Sequence, residues 1–242
     1  MKSDIKKGYS HPINHVIEDL MKIFSAIGFE VADSPHIDTA FFNFDVLNVP
    51  QEHPARDMQD TFWIDDPLDG KGKPEDKTLL RTQTSNTQVR YMKNHTAPFK
   101  IIAPGKVFRN EATDATHEAQ FHQIEAMVVG EGVHMGHLKW TINHMLTQLF
   151  GDDVEYRLRP GYFPFVEPGV EVDLKFRGEW LELLGAGMVH PKVMENGGID
   201  PQKFSGFAFG MGIERLAMMR YDIPDIRTFY HGDLRLHHAL YE

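Results

Sequence analysis

Residues 107–125 read VFRNEATDATHEAQFHQIE. An apolar run closes on Arg109, Glu111 follows two residues later, and a polar stretch comes next, Thr113-Asp114-Ala115-Thr116-His117. A second strand-like run opens at Phe121-His122-Gln123-Ile124-Glu125 and continues into Met127-Val128-Val129. The pattern predicts two strands joined by a long polar loop with an arginine at its entrance, an arrangement that can hold a nucleotide. A guanidinium is planar, pairs bidentately with phosphate oxygens and keeps its proton. Phe121 offers a face on which a base can stack.

Working outward, Gly210-Met211-Gly212-Ile213-Glu214-Arg215 follows the apolar run Phe207-Ala208-Phe209 and opens a helix-like segment, Ile213 to Tyr221. Near the N-terminus, PINHVIEDLMKIFSAIGFEVADSP (12–35) places apolar residues at 13, 16, 17, 20, 24 and 27, a helical spacing. Gly28 stands where a C-cap belongs, and Pro35 ends the strand expected next. Residues 40–65 are expected to form a strand and a lid-like loop, and DDPLDGKGKPEDK (65–77) an exposed loop inside one domain. Ser85 is the expected N-cap of a short helix through Asn94. An amphipathic helix is expected over 134–150, and strands over 155–185 and 204–209, with clean alternation from Val170 to Phe176. Antiparallel-type strands flanked by a few long helices make an α+β domain.

The chain has 242 residues, enough for one large domain with a substantial core. Its apolar and charged fractions, 41% and 25%, are those of a soluble globular protein. No run approaches the roughly 20 apolar residues of a membrane span, and MKSDIKKGYS lacks the apolar region of a signal peptide. With no cysteine, disulfides and thiolate metal sites are excluded, which fits a cytoplasmic location. A net charge of −10 weighs against broad RNA binding through the chain's own surface.

Two rival motifs fail. His117 and His122 are five residues apart, about 140° on a helix, whereas a zinc-binding helix needs the i,i+4 spacing. His11 and His15 have that spacing but no third ligand in view. Gly210-x-Gly212 hints at a dinucleotide fold, but Arg215 occupies the third glycine's place and the chain lacks alternating βα units.

The pattern Phe-Arg-x-Glu, loop, Phe-x-x-x-Glu resembles motif 2 of the class II aminoacyl-tRNA synthetases; Gly210–Arg215 resembles motif 3, and residues 12–35 resemble motif 1. The wording of DATHEAQFHQIE is similar to the alpha-subunit family of bacterial phenylalanyl-tRNA synthetases. So is that of LLRTQTS (79–85), RPGYFPFVEP (159–168), LELLGAGMVHP (181–191) and RYDIPDIR (220–227). The resemblance runs from about His11 to the C-terminus. It implies the class II catalytic fold, an antiparallel sheet flanked by helices, with motifs 2 and 3 on its active face. The implied reaction is ATP-dependent activation of phenylalanine to phenylalanyl-adenylate, the first step of charging tRNA(Phe).

The same resemblance implies roles. Arg109 and Arg215 would be the catalytic cations, holding ATP with Glu111, His117 and Phe121. Taken alone, either arginine reads as a surface ion-pair partner and Phe121 as core. Gln83, Ser85, Gln123, Glu125, Phe163, Phe165, Ala208 and Gly210 would form the amino-acid site, with Gln123, Glu125 and Ser85 at the ammonium group and Ala208 closing the ring pocket. Phe163 and Phe165, two residues apart, would share one face of a strand. Mg2+ would bridge the ATP phosphates, with Glu167 the first candidate ligand and Glu182 the second; both read equally as structural partners of the pocket arginines. Implied partners are tRNA(Phe) and a beta subunit, or a second copy through the motif 1 helix; no membrane is involved.

Two departures stand out. Gln83 replaces a histidine usual in the family, and Asn86 replaces a common proline. Residues 1–10 are expected to form a short lead and 11–242 the catalytic domain, without the family's helical arm or an anticodon-binding domain, so tRNA binding by this chain alone is expected to be weak. Two alternatives stay open: a stand-alone paralogue that activates an amino acid for another acceptor, and a non-catalytic synthetase-like binding module. The latter is disfavoured by the joint presence of Arg109, Glu111, His117, Phe121 and Arg215.

Overall fold

The structure, a computed structural model, describes residues 10–57, 60–65 and 71–233. Helix α1 (Pro12–Ala26) starts at His11, whose side chain accepts from Ile13 N, with proline at the first helical position. Ile13, Val16, Leu20 and Phe24 form its buried stripe, and Gly28, at φ +85°, lets the chain leave the helix in the left-handed region. A two-residue strand β1 (Glu30–Val31) follows, then β2 (Ile37–Thr39) and a single-turn helix α2 (Ala40–Asn43). Here the structure departs from expectation. Residues 40–47 are helical rather than extended, because Ala40, Phe44 and Leu47 recur at helical spacing and are buried together, with Thr39 accepting from Phe42 N. Of the loop expected over 65–77, residues 66–70 lie outside the described residues.

Strand β3 (Thr78–Leu80) pairs with β2, and helix α3 (Asn86–Asn94) follows. The long strands are β4 (Phe99–Phe108), β5 (Gln120–Gly130), β6 (Tyr156–Phe163), β7 (Val166–Phe176), β8 (Glu179–Val189) and β9 (Ser205–Gly212). Helices α4 (Met135–Phe150), α5 (Pro191–Asn196) and α6 (Ile213–Tyr221) stand between and after them. The main sheet runs β1-β4-β5-β9-β8-β7-β6; β1 is parallel to β4 and every other pair is antiparallel. The β7–β8 turn is tight: Arg177 and Gly178 both have positive φ, the backbone that a two-residue hairpin of right-handed twist requires.

Alternation along β5 sorts the molecule into two layers. Ile124 and Ala126 join the core under α1, α4 and α6, together with Phe207, Phe209 and Met211 of β9. Met127 and Val129 face the other way, into a second core with Ala208 that α2, α3 and α5 cover. The same alternation puts Phe121, Gln123 and Glu125 on that second face, beyond the end of the apolar cover. No helix among the described residues is long and apolar enough to cross a membrane.

Candidate active site

A cavity of about 870 Å³ opens on this face. It is lined by Arg109, Glu111, His117, Phe121 and Arg215, by Gln83, Ser85, Gln123, Glu125, Phe163, Phe165, Ala208 and Gly210, and by Glu182. Fourteen of the fifteen residues predicted for the site therefore share one cavity. Glu167 is not among the lining residues: its carboxylate is 77% exposed and lies 3.5 Å from His190 Nε2. Among the described residues no cluster of three or more His, Cys, Asp or Glu could hold a metal ion on its own.

Strand geometry orders the site. Phe121, Gln123 and Glu125 follow one another on one face of β5, each step about 7 Å. Across the ladder, Gly212 is opposite Gln123, Gly210 opposite Glu125, and Ala208 opposite Met127. At the loop end, the Arg109 guanidinium carbon sits 5.1 Å from the Phe121 ring centroid, and its Nε donates to Thr82 O at 3.3 Å. Arg109 opens onto the cavity yet is ringed by protein atoms. Desolvation lowers its pKa from the ordinary value, and the carboxylates of Glu111 and Asp60 oppose that. Arg215 Nη1 is anchored on Glu182 O at 2.6 Å.

The loop between β4 and β5 is held by its own polar groups. Asp114 Oδ1 accepts from Thr116 N at 2.7 Å and His117 N at 2.8 Å, and lies 3.0 Å from His117 Nδ1. These bonds, the one from Thr116 N first, hold the Asp114 carboxyl far below the usual carboxylate range. They also fix the His117 ring at the cavity's edge.

The other end is built around Glu125, 3% exposed. Its carboxylate accepts from Ser85 Oγ at 2.8 Å and from Gln88 Nε2. Burial pushes its pKa up to about 8, against the two hydrogen bonds, which pull it down. Beside it, Gln123 Oε1 is buried without a hydrogen-bond partner. The Phe163 and Phe165 rings stack at 5.9 Å and 24°. They do so for a reason other than the predicted one: β6 ends at Phe163, and Phe165 sits in the turn that follows, so the turn brings the rings together rather than strand alternation. That turn is pinned by Asn48 Nδ2 donating to Pro164 O at 2.7 Å and His190 N donating to Phe165 O at 2.9 Å.

Several residues of the site are not evident from sequence patterns. Gln88 contributes a second donor to Glu125 from the first turn of α3. Arg81, 1% exposed, ties three segments together: its Nε donates to Lys106 O at 2.7 Å and its Nη1 to Ser34 O at 2.9 Å. Gly105 leaves the space that the guanidinium fills; a glycine inside a strand is the one sequence signal for such an approach. Asn86, at the departure from the family pattern, is fully buried and structural, its Nδ2 donating to Asp38 Oδ2 at 2.6 Å. Gln83 Nε2 donates to Asn43 O at 3.2 Å, which leaves its carbonyl oxygen for the cavity. Glu214, 1% exposed, accepts from His122 N at 2.9 Å and Tyr230 Oη at 2.6 Å, and lies 2.7 Å from His122 Nδ1. It thereby ties the residue before Arg215 to the strand that carries Phe121.

The sequence matches the family described as tRNA synthetases class II core domain (F) over residues 1–240. Among curated relatives, the phenylalanine–tRNA ligase alpha subunit of Jannaschia sp. is 50% identical over 239 residues, covering 94% of this chain and 66% of the relative. That of Synechocystis sp. is 46% identical over 229 residues, covering 95% and 66%. That of Dehalococcoides mccartyi is 50% identical over 240 residues, covering 94% and 68%. The chain thus spans about two thirds of the length of these relatives. Among solved structures, pyrrolysyl-tRNA synthetase from Desulfitobacterium hafniense superposes with a TM-score of 0.70 at 19% identity, covering 95% of this chain and 76% of that one, a likeness of fold. The antiparallel sheet, the two helical layers and the match over nearly every residue agree, and the chain belongs to the class II tRNA synthetase core-domain family.

Proposed function

We propose that this chain is the adenylate-forming domain of a phenylalanine–tRNA ligase, joining phenylalanine to ATP to give phenylalanyl-adenylate and pyrophosphate. The observation that carries this reading is the polarity of a single cavity. Two arginines and a stacking ring stand at its loop end, and a buried carboxylate and two stacked phenylalanine rings stand at the other. Both hydrogen-bond partners of Glu125 are uncharged, so the charge complement of the carboxylate is an ammonium group brought by the ligand. The unpartnered Gln123 Oε1 is a second acceptor for it. An apolar side chain on the same molecule then lies among Phe163, Phe165 and Ala208. Aromatic contacts of this kind add about 0.5–1.5 kcal/mol beyond burial and favour a phenyl ring.

In the reaction, a carboxylate oxygen of the amino acid bonds to the α-phosphorus as the bond to the bridging β-phosphate oxygen breaks. Pyrophosphate leaves with the electron pair, and no proton has to move. Arg109 meets the charge that develops at the α-phosphate, and Arg215, anchored on Glu182 O, meets the far phosphates. Phe121 stacks on the base, Glu111 accepts from its amino group and His117 reaches a terminal phosphate. Positioning carries much of the rate. Magnesium, bound with ATP, supplies neutralisation of the phosphate charge. Glu182, at the cavity wall beside Arg215, is the carboxylate of this chain suited to it, whereas the place of Glu167 outside the lining supports a structural role with His190.

The relatives' names, alpha subunit, support assembly with a second kind of subunit, and motif 1 around α1 is the surface assigned to that contact, or to a second copy. Transfer of the acyl group to tRNA(Phe) in the cytoplasm completes the proposed function. The test is ATP–pyrophosphate exchange measured with each of the twenty amino acids. Exchange that prefers phenylalanine supports the reading; exchange that is absent, or equal for all of them, overturns it.

A further inference from the structure

We propose that Gly185 sets the width of the amino-acid pocket, acting as a positioning residue through the ring of Phe163. This rests on the amino-acid reading of the cavity. A Cβ built on Gly185 would fall 2.7 Å from Phe163 Cζ and 3.1 and 3.2 Å from its two Cε atoms. The near-symmetric contact is with the tip of the ring. Turning the ring about its own axis leaves Cζ in place, so that motion cannot relieve the clash; the ring must tilt or translate. Phe165 stacks on one face of Phe163 and the turn between them is pinned by Asn48 and His190, which restricts how far the ring can tilt or shift. Both residues line the cavity, so displacing the ring changes the shape of the pocket.

The neighbouring strand repeats the device with polar groups. Gly210 is in register with Gly185, and a Cβ there would meet Gln123 Nε2 at 2.6 Å and Glu125 Oε2 at 2.8 Å. Two glycines side by side thus form a floor without side chains. The ammonium-binding groups lean over one of them and the ring wall leans over the other. The width of the slot between is set by how low Phe163 can lie, and therefore by the missing Cβ of Gly185.

The test is a double-mutant cycle in amino-acid-dependent pyrophosphate exchange, with Gly185→Ala, Phe163→Leu and the pair, each checked for folding by thermal melting. Gly185→Ala is expected to raise the KM for phenylalanine about tenfold or more while kcat changes little. Slender methionine should lose less, so the phenylalanine-to-methionine preference falls. In the Phe163→Leu background, where the ring tip is gone, Gly185→Ala should change the KM by less than about twofold. A uniform loss for all amino acids with KM unchanged would mean a merely structural role and overturn the proposal. So would an equal effect of Gly185→Ala in both backgrounds. If Gly185→Ala alone fails to fold, Phe163→Leu with and without it carries the comparison: no recovery of folding and KM to the Phe163→Leu level overturns the idea. A wild-type protein that exchanges with no amino acid removes the proposed function and this inference together. Phenylalanine-dependent exchange without the shift removes this inference alone.

Discussion

Ser85 Oγ donates to Glu125 Oε2 across 2.8 Å, so the residue that precedes α3 leaves that helix without a side-chain cap. The expected N-cap serine is in place, but its backbone is helical, φ −64° and ψ −20°, rather than the extended form from which a cap reaches back to its helix. The hydroxyl is committed to a buried carboxylate instead. A local rule of helix chemistry gives way at the wall of the cavity.

Glu125 should make both stability and binding depend on pH. Its carboxyl is raised from 4.5 to about 8 by burial, so the folded protein holds a proton there over an interval in which the unfolded chain has lost it. The stability this contributes is complete below the unfolded value and is lost as pH rises through about 8. Melting temperature in the absence of ligand should therefore fall between about pH 4.5 and about pH 8, and Glu125→Gln should flatten that slope. An ammonium ligand favours the charged carboxylate, so binding of phenylalanine near pH 7 should release close to one proton. Calorimetry in buffers of different ionisation enthalpy reads this directly. A binding enthalpy independent of buffer would mean that Glu125 is already charged in the free site.

Arg109 should be intolerant of lysine as well as alanine. Its guanidinium is shared between the Phe121 face and Thr82 O, a geometry that needs a planar group. Loss of a fixed charge aimed at a developing oxyanion costs about 10²–10³ in rate. Pyrophosphate exchange by Arg109→Ala should fall by about that factor in kcat/KM, and Arg109→Lys should recover little of it. A change within about twofold would remove Arg109 from the reacting phosphate.

Glu214 should matter for both fold and nucleotide. It is buried and accepts from His122 N and Tyr230 Oη, and burial together with the Glu214 charge raises the Tyr230 pKa above its ordinary value. Tyr230→Phe removes one bond to a buried charge, a loss of about 1–3 kcal/mol, whereas Glu214→Ala strips the acceptor from three donors and should cost about 3–5 kcal/mol. Urea unfolding gives both values. Because Arg215 is the next residue, the KM for ATP should rise in Tyr230→Phe while that for phenylalanine stays near wild type. Equal changes in the two constants would show that the network supports the whole sheet rather than the arginine.

The parts of this molecule that could be read from sequence are those with local periodicity. The α1 stripe, the β5 alternation and the Gly210–Arg215 junction each show their pattern within a dozen residues, and Ile213–Tyr221 is helical over the span its spacing predicts. What escaped depends on residues far apart in the chain. Gly185 under Phe163, Gly105 under Arg81 and Tyr230 on Glu214 are each defined by a partner on another element, and a glycine or tyrosine carries no periodic signal for such a contact. Residues 40–47 were hard for a different reason: AFFNFDVL is short and almost continuously apolar, a run in which periodicity cannot separate strand from one-turn helix. Glu167 resembles a ligand in its motif, but it is one residue past the inward-facing Val166, and alternation turns its carboxylate toward His190 instead.

Ala208 is expected to limit ring size from the opposite wall. It is 2% exposed, lies between Met127 of β5 and Gly187 of β8 in the ladder, and lines the cavity. It belongs to the second core as well as to the cavity wall, so added volume at position 208 is taken from the pocket or strains that core. Ala208→Val should block phenylalanine, raising its KM by about tenfold or more, since a packed site tolerates overfilling poorly. Ala208→Gly removes one methyl and should admit a para-substituent while phenylalanine itself loses little. Exchange kinetics with phenylalanine and para-chlorophenylalanine, measured side by side on the two variants, separate these effects. Opposite changes in the preference for the substituted ring place the Ala208 methyl at the para position. Unchanged preference in both variants would put the ring elsewhere in the cavity and leave Phe163 and Gly185 as the walls that matter.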